Sequence, residues 1–138
     1  MKHQETTQAI IEAFYAVYNT LGYGFLEKIY EEALACELTH RGLVVQQQEP
    51  IEVFYRDKKV GDYFADILVN ETVIVEVKAV ESLGEKHEAQ LINYLRSTNL
   101  EVGLLLNFGP KPQVKRKIFE LRYKNNNIDS DTELRYTD

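Results

Sequence analysis

The sequence predicts an α/β (α+β) domain in which one mixed sheet is flanked by helices. Three observations support this class: helical spacing of apolar residues at the start, a strand-rich middle over about 43–80, and a return to helical spacing before the apolar run VGLLLNF. The length of 138 residues fits a single domain. We expect that domain to occupy residues 1–124 and a polar tail to follow over 125–138.

Two helices are predicted first. Apolar residues recur at helical spacing over about 6–19 and again over about 25–40. Gly22 and Gly24 separate these segments and favour a turn. The chain therefore begins with a pair of helices joined by a short connection.

The middle of the chain is rich in β-branched and aromatic residues. It predicts consecutive antiparallel strands at about 43–56, 60–69 and 72–80, with Pro50 marking an irregularity in the first. A helix is then expected over the segment EKHEAQLINYLRST, followed by a strand buried on both faces at VGLLLNF. Residues 113–123 fit either a strand or a short helix, and we favour the strand.

The net charge of −6 is unfavourable for binding a polyanion, but the basic residues are unevenly distributed. Six lie between Lys111 and Lys124, against one acid, and Lys115 and Lys117 are candidates for phosphate contacts. A solvated basic surface is the alternative. With one cysteine, no apolar run of membrane length and no signal-peptide core at the start, we expect a cytoplasmic protein that does not bind membranes.

Charged residues interrupt two of the predicted strands. Asp66 lies in YFADILV, and Glu76 and Lys78 lie in TVIVEVKAV. A buried charge is costly unless it is paired or bound to a metal. Two converging carboxylates, with the carbonyl of Val77 as a further ligand, would suit Mg²⁺ or Mn²⁺. Lys78 would then orient or deprotonate a water molecule, whereas the alternative is a buried ion pair without metal.

The position of the turn decides whether these carboxylates meet. Asp66 and Glu76 share a face only if their strands pair with an even residue sum, such as 66 opposite 76, which requires an odd-length turn, most simply the three residues 70–72. A two-residue turn would set Asp66 opposite Val75 and send Glu76 to the other face. We predict the three-residue turn or a bulge.

Polar and aromatic residues on the predicted helices extend the candidate site. Glu27 and Tyr30 share one helix face, and Gln90 and Tyr94 share another, with His87 one turn earlier. Glu27 would join the metal shell, and the others would hold phosphates or bases. The alternatives are a solvated Glu27, core positions for the tyrosines, and an exposed or capping His87.

These motifs together carry a family resemblance. The segment from Gly24 to Tyr30, GFLEKIY, has the form G-x-x-E-x-x-Y, and it precedes Asp66, the triplet EVK and HEAQLINYL. In this order and spacing, the chain resembles the GxxExxY family of the PD-(D/E)XK nuclease superfamily over about Ile10 to Ile118. It departs at Ala65, where the superfamily name has proline, and at Tyr18 and Tyr23, where relatives often have histidine and proline.

The resemblance implies a restriction-endonuclease-like α-β-β-β-α-β core and residue roles within it. Asp66 and Glu76 would bind a divalent metal, Lys78 would be the catalytic lysine, and Glu27 would be the acid from the first core helix. Gln90 and Tyr94 match a Q-x-x-x-Y motif that supports the site and contacts substrate.

We therefore expect a Mg²⁺-dependent nuclease, with Mn²⁺ as a possible substitute and DNA as the favoured substrate. A homodimer remains open. The rival functions are a non-catalytic nucleic-acid-binding or protein-binding module on the same fold, and a regulatory partner of another enzyme.

Overall fold

Two helices precede a five-stranded sheet in the computed structural model, which describes residues 3–121. The elements, in chain order, are α1 (Gln4–Leu21), α2 (Glu27–His40), β1 (Val45–Tyr55), β2 (Lys58–Val69), β3 (Val73–Lys78), α3 (Glu85–Arg96), β4 (Val102–Phe108) and β5 (Pro112–Ile118). The strands lie in the order β1-β2-β3-β4-β5. Among the strands of residues 3–121, only β3 and β4 pair in parallel, and α3 forms the crossover between them. The predicted mixed sheet with helices on its faces is confirmed.

The sheet buries a hydrophobic layer on each face. Helices α1 and α2 cover one face, where Phe14 and Tyr30 pack with Val75 and Phe108. Helix α3 covers the other, where Leu91 and Leu95 pack over Ile74 and Leu105. β4 lies between two partners and is buried along its whole length, as its apolar sequence predicts.

The side chain of Leu91 on α3 packs directly on β4 at Gly103. A Cβ atom at Gly103 would stand 2.7 Å from a side-chain carbon of Leu91, which is shorter than a normal van der Waals contact. The absence of a side chain at Gly103 therefore lets this helix approach the sheet.

The turn between β2 and β3 has the predicted length. Val69 pairs with Val73 and Ile67 pairs with Val75, so three residues, 70–72, connect the strands. Asn70 and Glu71 both have positive φ values, 52° and 56°. Continuing this register places Asp66 opposite Glu76, and the prediction of a three-residue turn is confirmed.

β2 separates from β3 immediately beyond this short ladder. The two strands share only three residue pairs, although β2 extends back to Lys58 and β3 extends forward to Lys78. A notch therefore opens in the sheet beside the second half of β3. Asp66 and Glu76 lie at its apex.

The hairpin formed by β1 and β2 changes the face that it buries at this point. Ala65 packs in the α3 layer and Ile67 in the α1–α2 layer, although residues two apart share a face in a regular strand. Gln48, which would oppose Asp66, has a φ of 52° and is skipped in the pairing. The irregularity expected at Pro50 lies instead at Gln48 and, further on, between Val53 and Phe54, because Pro50 itself pairs with Phe64 on this edge strand.

No helix within residues 3–121 is long and apolar enough to cross a membrane. The described part of the segment 113–123 includes all of β5 (Pro112–Ile118) except its first residue, so the favoured strand is observed there. The predicted tail 125–138 and two residues of the basic segment, Arg122 and Lys124, lie outside the described residues.

Candidate metal centre

Asp66 and Glu76 are joined by a reciprocal pair of hydrogen bonds. The backbone N–H of Asp66 donates to Oε2 of Glu76 at 3.0 Å, and the backbone N–H of Val77 donates to Oδ2 of Asp66 at 2.8 Å. The two side chains thus take the place of ladder hydrogen bonds where β2 leaves β3. This exchange fixes both carboxylates at the apex of the notch.

Burial makes the charge on these carboxylates costly. The side chain of Glu76 is 4% exposed, and desolvation, followed by the charge of Asp66, raises its pKa to about 8. Desolvation also raises the pKa of Asp66, while the hydrogen bond from Val77 acts in the opposite direction. The apex therefore brings two acids together in a place that disfavours their ionisation.

Lys78 lies near the carboxylates without forming an ion pair with either. It follows Glu76 by two residues on the same face of β3, and its charge lowers the pKa values of Asp66, Glu76 and Glu27. Within residues 3–121, no nitrogen of a basic side chain lies within 4.0 Å of the Asp66 or Glu76 oxygens. The alternative of a directly paired, metal-free Lys78 does not describe this structure.

Helix α2 brings further acids to the notch. Glu27 is its first residue. Its pKa is raised, mainly by desolvation and also by the charges of Asp66 and Glu31, and the charge of Lys78 acts in the opposite direction. Glu31, one turn on, is buried and accepts hydrogen bonds from the side-chain amides of Gln47 and Gln48 at 3.1 Å. Four carboxylates therefore influence one another around the notch.

The loop before α2 explains the G-x-x-E-x-x-Y pattern physically. Gly24 has a φ of 119°, which strongly favours glycine. The hydroxyl of Tyr30 donates to the carbonyl of Gly22 at 2.6 Å and accepts from the N–H of Phe25 at 3.1 Å. Tyr30 is fully buried and stacks on Phe108, so the predicted substrate contact is wrong and the residue instead holds the loop that presents Glu27.

Helix α3 contributes residues from above the sheet. Tyr94 is half-buried, and desolvation, followed by the charges of Glu76 and Asp66, raises its pKa to about 12. Gln90, one turn earlier, is exposed. His87 accepts a hydrogen bond from the N–H of Gly84 through Nδ1 at 3.0 Å, so it caps the helix, as the structural alternative predicted.

The two lysines proposed for phosphate binding have different surroundings. Lys115 is exposed. It pairs with Leu105 of β4, which pairs with Glu76 of β3, so the three residues lie side by side on adjacent strands. Lys117 is only 7% exposed, and its ammonium lies 2.7 Å from a carboxylate oxygen of Glu88. The expected surface role of Lys117 is therefore wrong, because this lysine joins β5 to α3.

Side-chain amides fix the segment that follows Lys78. Asn107, paired with Lys78 in the sheet and fully buried, accepts from the N–H of Val80 at 2.9 Å and donates to the carbonyl of Val80 at 3.0 Å. Gln113 accepts from Asn107 at 2.9 Å and from the N–H of Leu83 at 2.9 Å. We call these two residues the amide clamp. It ties the exit of β3 to β4 and β5.

The β4–β5 turn closes around the amide clamp. A Cβ atom at Gly109 would lie 2.1 Å from the carbonyl oxygen of Val80, which leaves no room for a side chain. The hydroxyl of Tyr18 donates to the carbonyl of Gly109 at 2.7 Å and contacts that of Pro110 at 3.0 Å. Tyr18, which departs from the family pattern, thus braces this turn from α1.

Sequence reasoning missed several residues of the site. Glu31 stands four residues after Glu27, a spacing that places both on one helix face and was a usable signal. Asn107 was also detectable, as the only amide in the apolar run VGLLLNF. Gln48 and Tyr63 had no local signal, because their positions depend on how the hairpin coils.

The donor chemistry fits a divalent cation. Within residues 3–121, no group of three or more histidine, cysteine, aspartate and glutamate side chains is arranged to enclose a metal ion. Mg²⁺ is typically bound in proteins by one or two carboxylates and retains several waters. Asp66, which is partly buried, and Glu76, which is buried, provide two carboxylates without a basic partner in contact, and a cation would relieve their repulsion.

Comparison with known proteins agrees with this geometry. The sequence model of the PD-(D/E)XK nuclease superfamily matches residues 4–131, which is almost the whole chain. No curated protein and no solved structure matches the sequence significantly. Members of this superfamily generally use divalent metals and bind nucleic acid. The chain belongs to the PD-(D/E)XK nuclease superfamily.

Proposed function

We propose that this protein is a Mg²⁺-dependent nuclease of the GxxExxY type that hydrolyses phosphodiester bonds, with DNA as substrate. The observation that carries the proposal is the acid pair of partly buried Asp66 and buried Glu76, whose carboxylates accept backbone N–H hydrogen bonds and form no ion pair with the nearby Lys78. Holding two acids away from water in this way lowers stability, and such a cost is typical of functional sites.

The residues divide the work of hydrolysis. Asp66, Glu76 and the carbonyl of Val77 would hold the cation, which when bound stabilises charge on the phosphoryl group and acidifies a coordinated water. Lys78 orients the attacking water, accepts its proton or offsets charge that develops on the phosphate. Glu27, at the mouth of the notch, adds negative charge on the side facing α2.

Residues around the notch would position the nucleic acid. Lys115 lies two strands from Glu76 on the same face, about 10 Å away at ordinary strand spacing, and is exposed enough to contact a phosphate. Gln90 and Tyr94 approach from α3, on the side of the sheet that carries Glu76 and Lys78. His87 contributes by fixing the start of that helix.

The test is cleavage of single-stranded and double-stranded DNA and RNA in Mg²⁺ or Mn²⁺, with EDTA as a blank. We expect metal-dependent cleavage that falls by about 100-fold or more in Glu76→Ala and in Lys78→Ala. Glu71→Ala, on the exposed β2–β3 turn, is the matched control and should cleave normally. Cleavage at the wild-type rate by both site variants would show that the site is wrongly assigned, and metal binding without cleavage of any substrate would favour a non-catalytic module.

A further inference from the structure

A cavity of about 620 Å³ lies between the β1–β2 hairpin and the second half of α3. The hairpin side includes Phe54 and Tyr63, and the helix side includes Asn93, Tyr94, Arg96 and Ser97. Of these residues, only Tyr94 has a place in the proposed hydrolysis. The cavity is therefore a feature that this reaction leaves unexplained.

The cavity adjoins the carboxylate site through a pair of tyrosines. The rings of Tyr63 and Tyr94 stack with their centroids 3.6 Å apart and their planes 24° apart. The charge of Glu76 acts on both hydroxyls, so the pair lies between the notch and the cavity. A nucleic acid strand held at the notch would pass this wall on its way along the hairpin.

The lining combines flat aromatic surface with polar groups. Phe54 is 56% exposed and offers a ring face, and Asn93 and Ser97 offer an amide and a hydroxyl. Arg96 supplies a guanidinium, the side chain best suited to planar or anionic partners. The acid on this wall, Glu52, is paired with Lys59 at 3.2 Å, which reduces its repulsion of a phosphate.

A buried hydroxyl adds an independent observation. Tyr63 Oη is inaccessible to solvent and has no hydrogen-bond partner among the described residues. An unsatisfied buried hydroxyl is unfavourable, and a polar ligand would pair with it once the Tyr63 or Tyr94 ring shifts enough to expose it to the cavity. Aromatic rings next to hydrogen-bonding groups recognise a nucleobase, which has stacking faces and a polar edge.

We propose that this cavity receives an unpaired nucleobase adjacent to the phosphate held at the notch, so that the substrate is single-stranded DNA or a single-stranded segment of it. Bases within a duplex are stacked on both faces and paired at their edges, and only an unpaired base can enter such a cavity. That this DNA is a substrate rests on the proposed nuclease function, whereas binding of the base does not require cleavage.

The experiment compares two phenylalanines of the same hairpin. Phe54 lines the cavity, whereas Phe64 is 54% exposed and, as the neighbour of Tyr63, points to the opposite face. Fluorescence anisotropy would measure binding of a labelled 12-nucleotide single strand and of a blunt duplex, in Ca²⁺ and in EDTA. Both substitutions to alanine are at exposed positions, and circular dichroism would verify their folding.

We expect Phe54→Ala to weaken single-strand binding about tenfold and to leave duplex binding unchanged, because loss of one stacking platform affects only unpaired bases. Phe64→Ala should bind both DNAs as the wild type does. Equal single-strand affinity of the wild type and Phe54→Ala, or tighter binding of the duplex by the wild type, would overturn the inference. If the protein cleaves nothing but Phe54 still controls single-strand binding, the nuclease proposal fails and this one stands.

Discussion

Replacing Glu76 with glutamine is expected to stabilise the metal-free protein at neutral pH. Burial raises the pKa of this carboxyl from 4.5 to about 8, so the folded protein binds its proton more tightly than the unfolded chain does. The contribution of the protonated acid to stability is complete below about pH 4.5 and is lost as the pH rises through 8. Glutamine is never ionised, and its amide oxygen can still accept the hydrogen bond from the N–H of Asp66.

The magnitude follows from the linkage between protonation and folding. Each pH unit between 4.5 and 8 removes about 1.4 kcal/mol from the free energy of unfolding, which amounts to roughly 3 kcal/mol at pH 7. At pH 5 the same relation gives less than about 1 kcal/mol. Glu76→Gln should therefore unfold at a higher temperature than the wild type at pH 7, by roughly 10 °C for a domain of this size.

Urea denaturation followed by circular dichroism, in EDTA at pH 5, 6, 7 and 8, would measure the difference. Glu71→Gln, on the exposed turn, is the control and should follow the wild type at every pH. A stability difference between Glu76→Gln and the wild type that is the same at pH 5 and pH 8 would refute the reasoning, because the cost of ionising a buried carboxylate must vary across this range.

Three further outcomes are expected. Mg²⁺ or Mn²⁺ should raise the melting temperature of the wild type but not of Glu76→Gln, and equal shifts in a thermal-denaturation assay would place the metal elsewhere. Asn107→Ala should lose about 2–4 kcal/mol in urea denaturation, because both polar groups of the Val80 backbone lose their side-chain partner, and a loss below about 0.5 kcal/mol would contradict this. Lys115→Ala should weaken DNA binding and lower the slope of log binding constant against log salt concentration by about one released ion. Lys111→Ala, at an exposed position on the adjoining turn, serves for comparison. An unchanged slope in Lys115→Ala would show that this lysine does not contact the DNA.

The arrangement of the acids on β2 and β3 was predictable because side chains alternate along a strand. Placing Asp66 and Glu76 on one site required a particular turn length, and the observed turn over 70–72 satisfies that requirement. The other helices and strands were also predictable from their apolar periods or, for β4, from a continuous apolar run, whereas β5 lies in a segment that fitted either a strand or a short helix. Local pattern therefore determined the elements and this local register.

Features that depend on contacts between distant segments were not predictable in the same way. The irregularity at Gln48 lies where the hairpin changes the face of the sheet that it buries, and no residue there has a sequence pattern that predicts this change. The burial of Lys117 depends on Glu88, which is distant in sequence and approaches only because α3 crosses over the sheet. Tyr30 could have been either a core or a contact residue, and only the packing of Phe108 decides between them.

The missing side chain of Gly103 has a consequence for substrate range. Because the Leu91 side chain rests directly on this glycine, a methyl group at position 103 would force that side chain to move. Gln90 and Tyr94 flank Leu91 on the same helix, so any movement of the helix that follows would change their distance from the carboxylates and the space left for the proposed substrate. Although Gly103 has no functional group, it would thereby influence which nucleic acids the proposed site can accept.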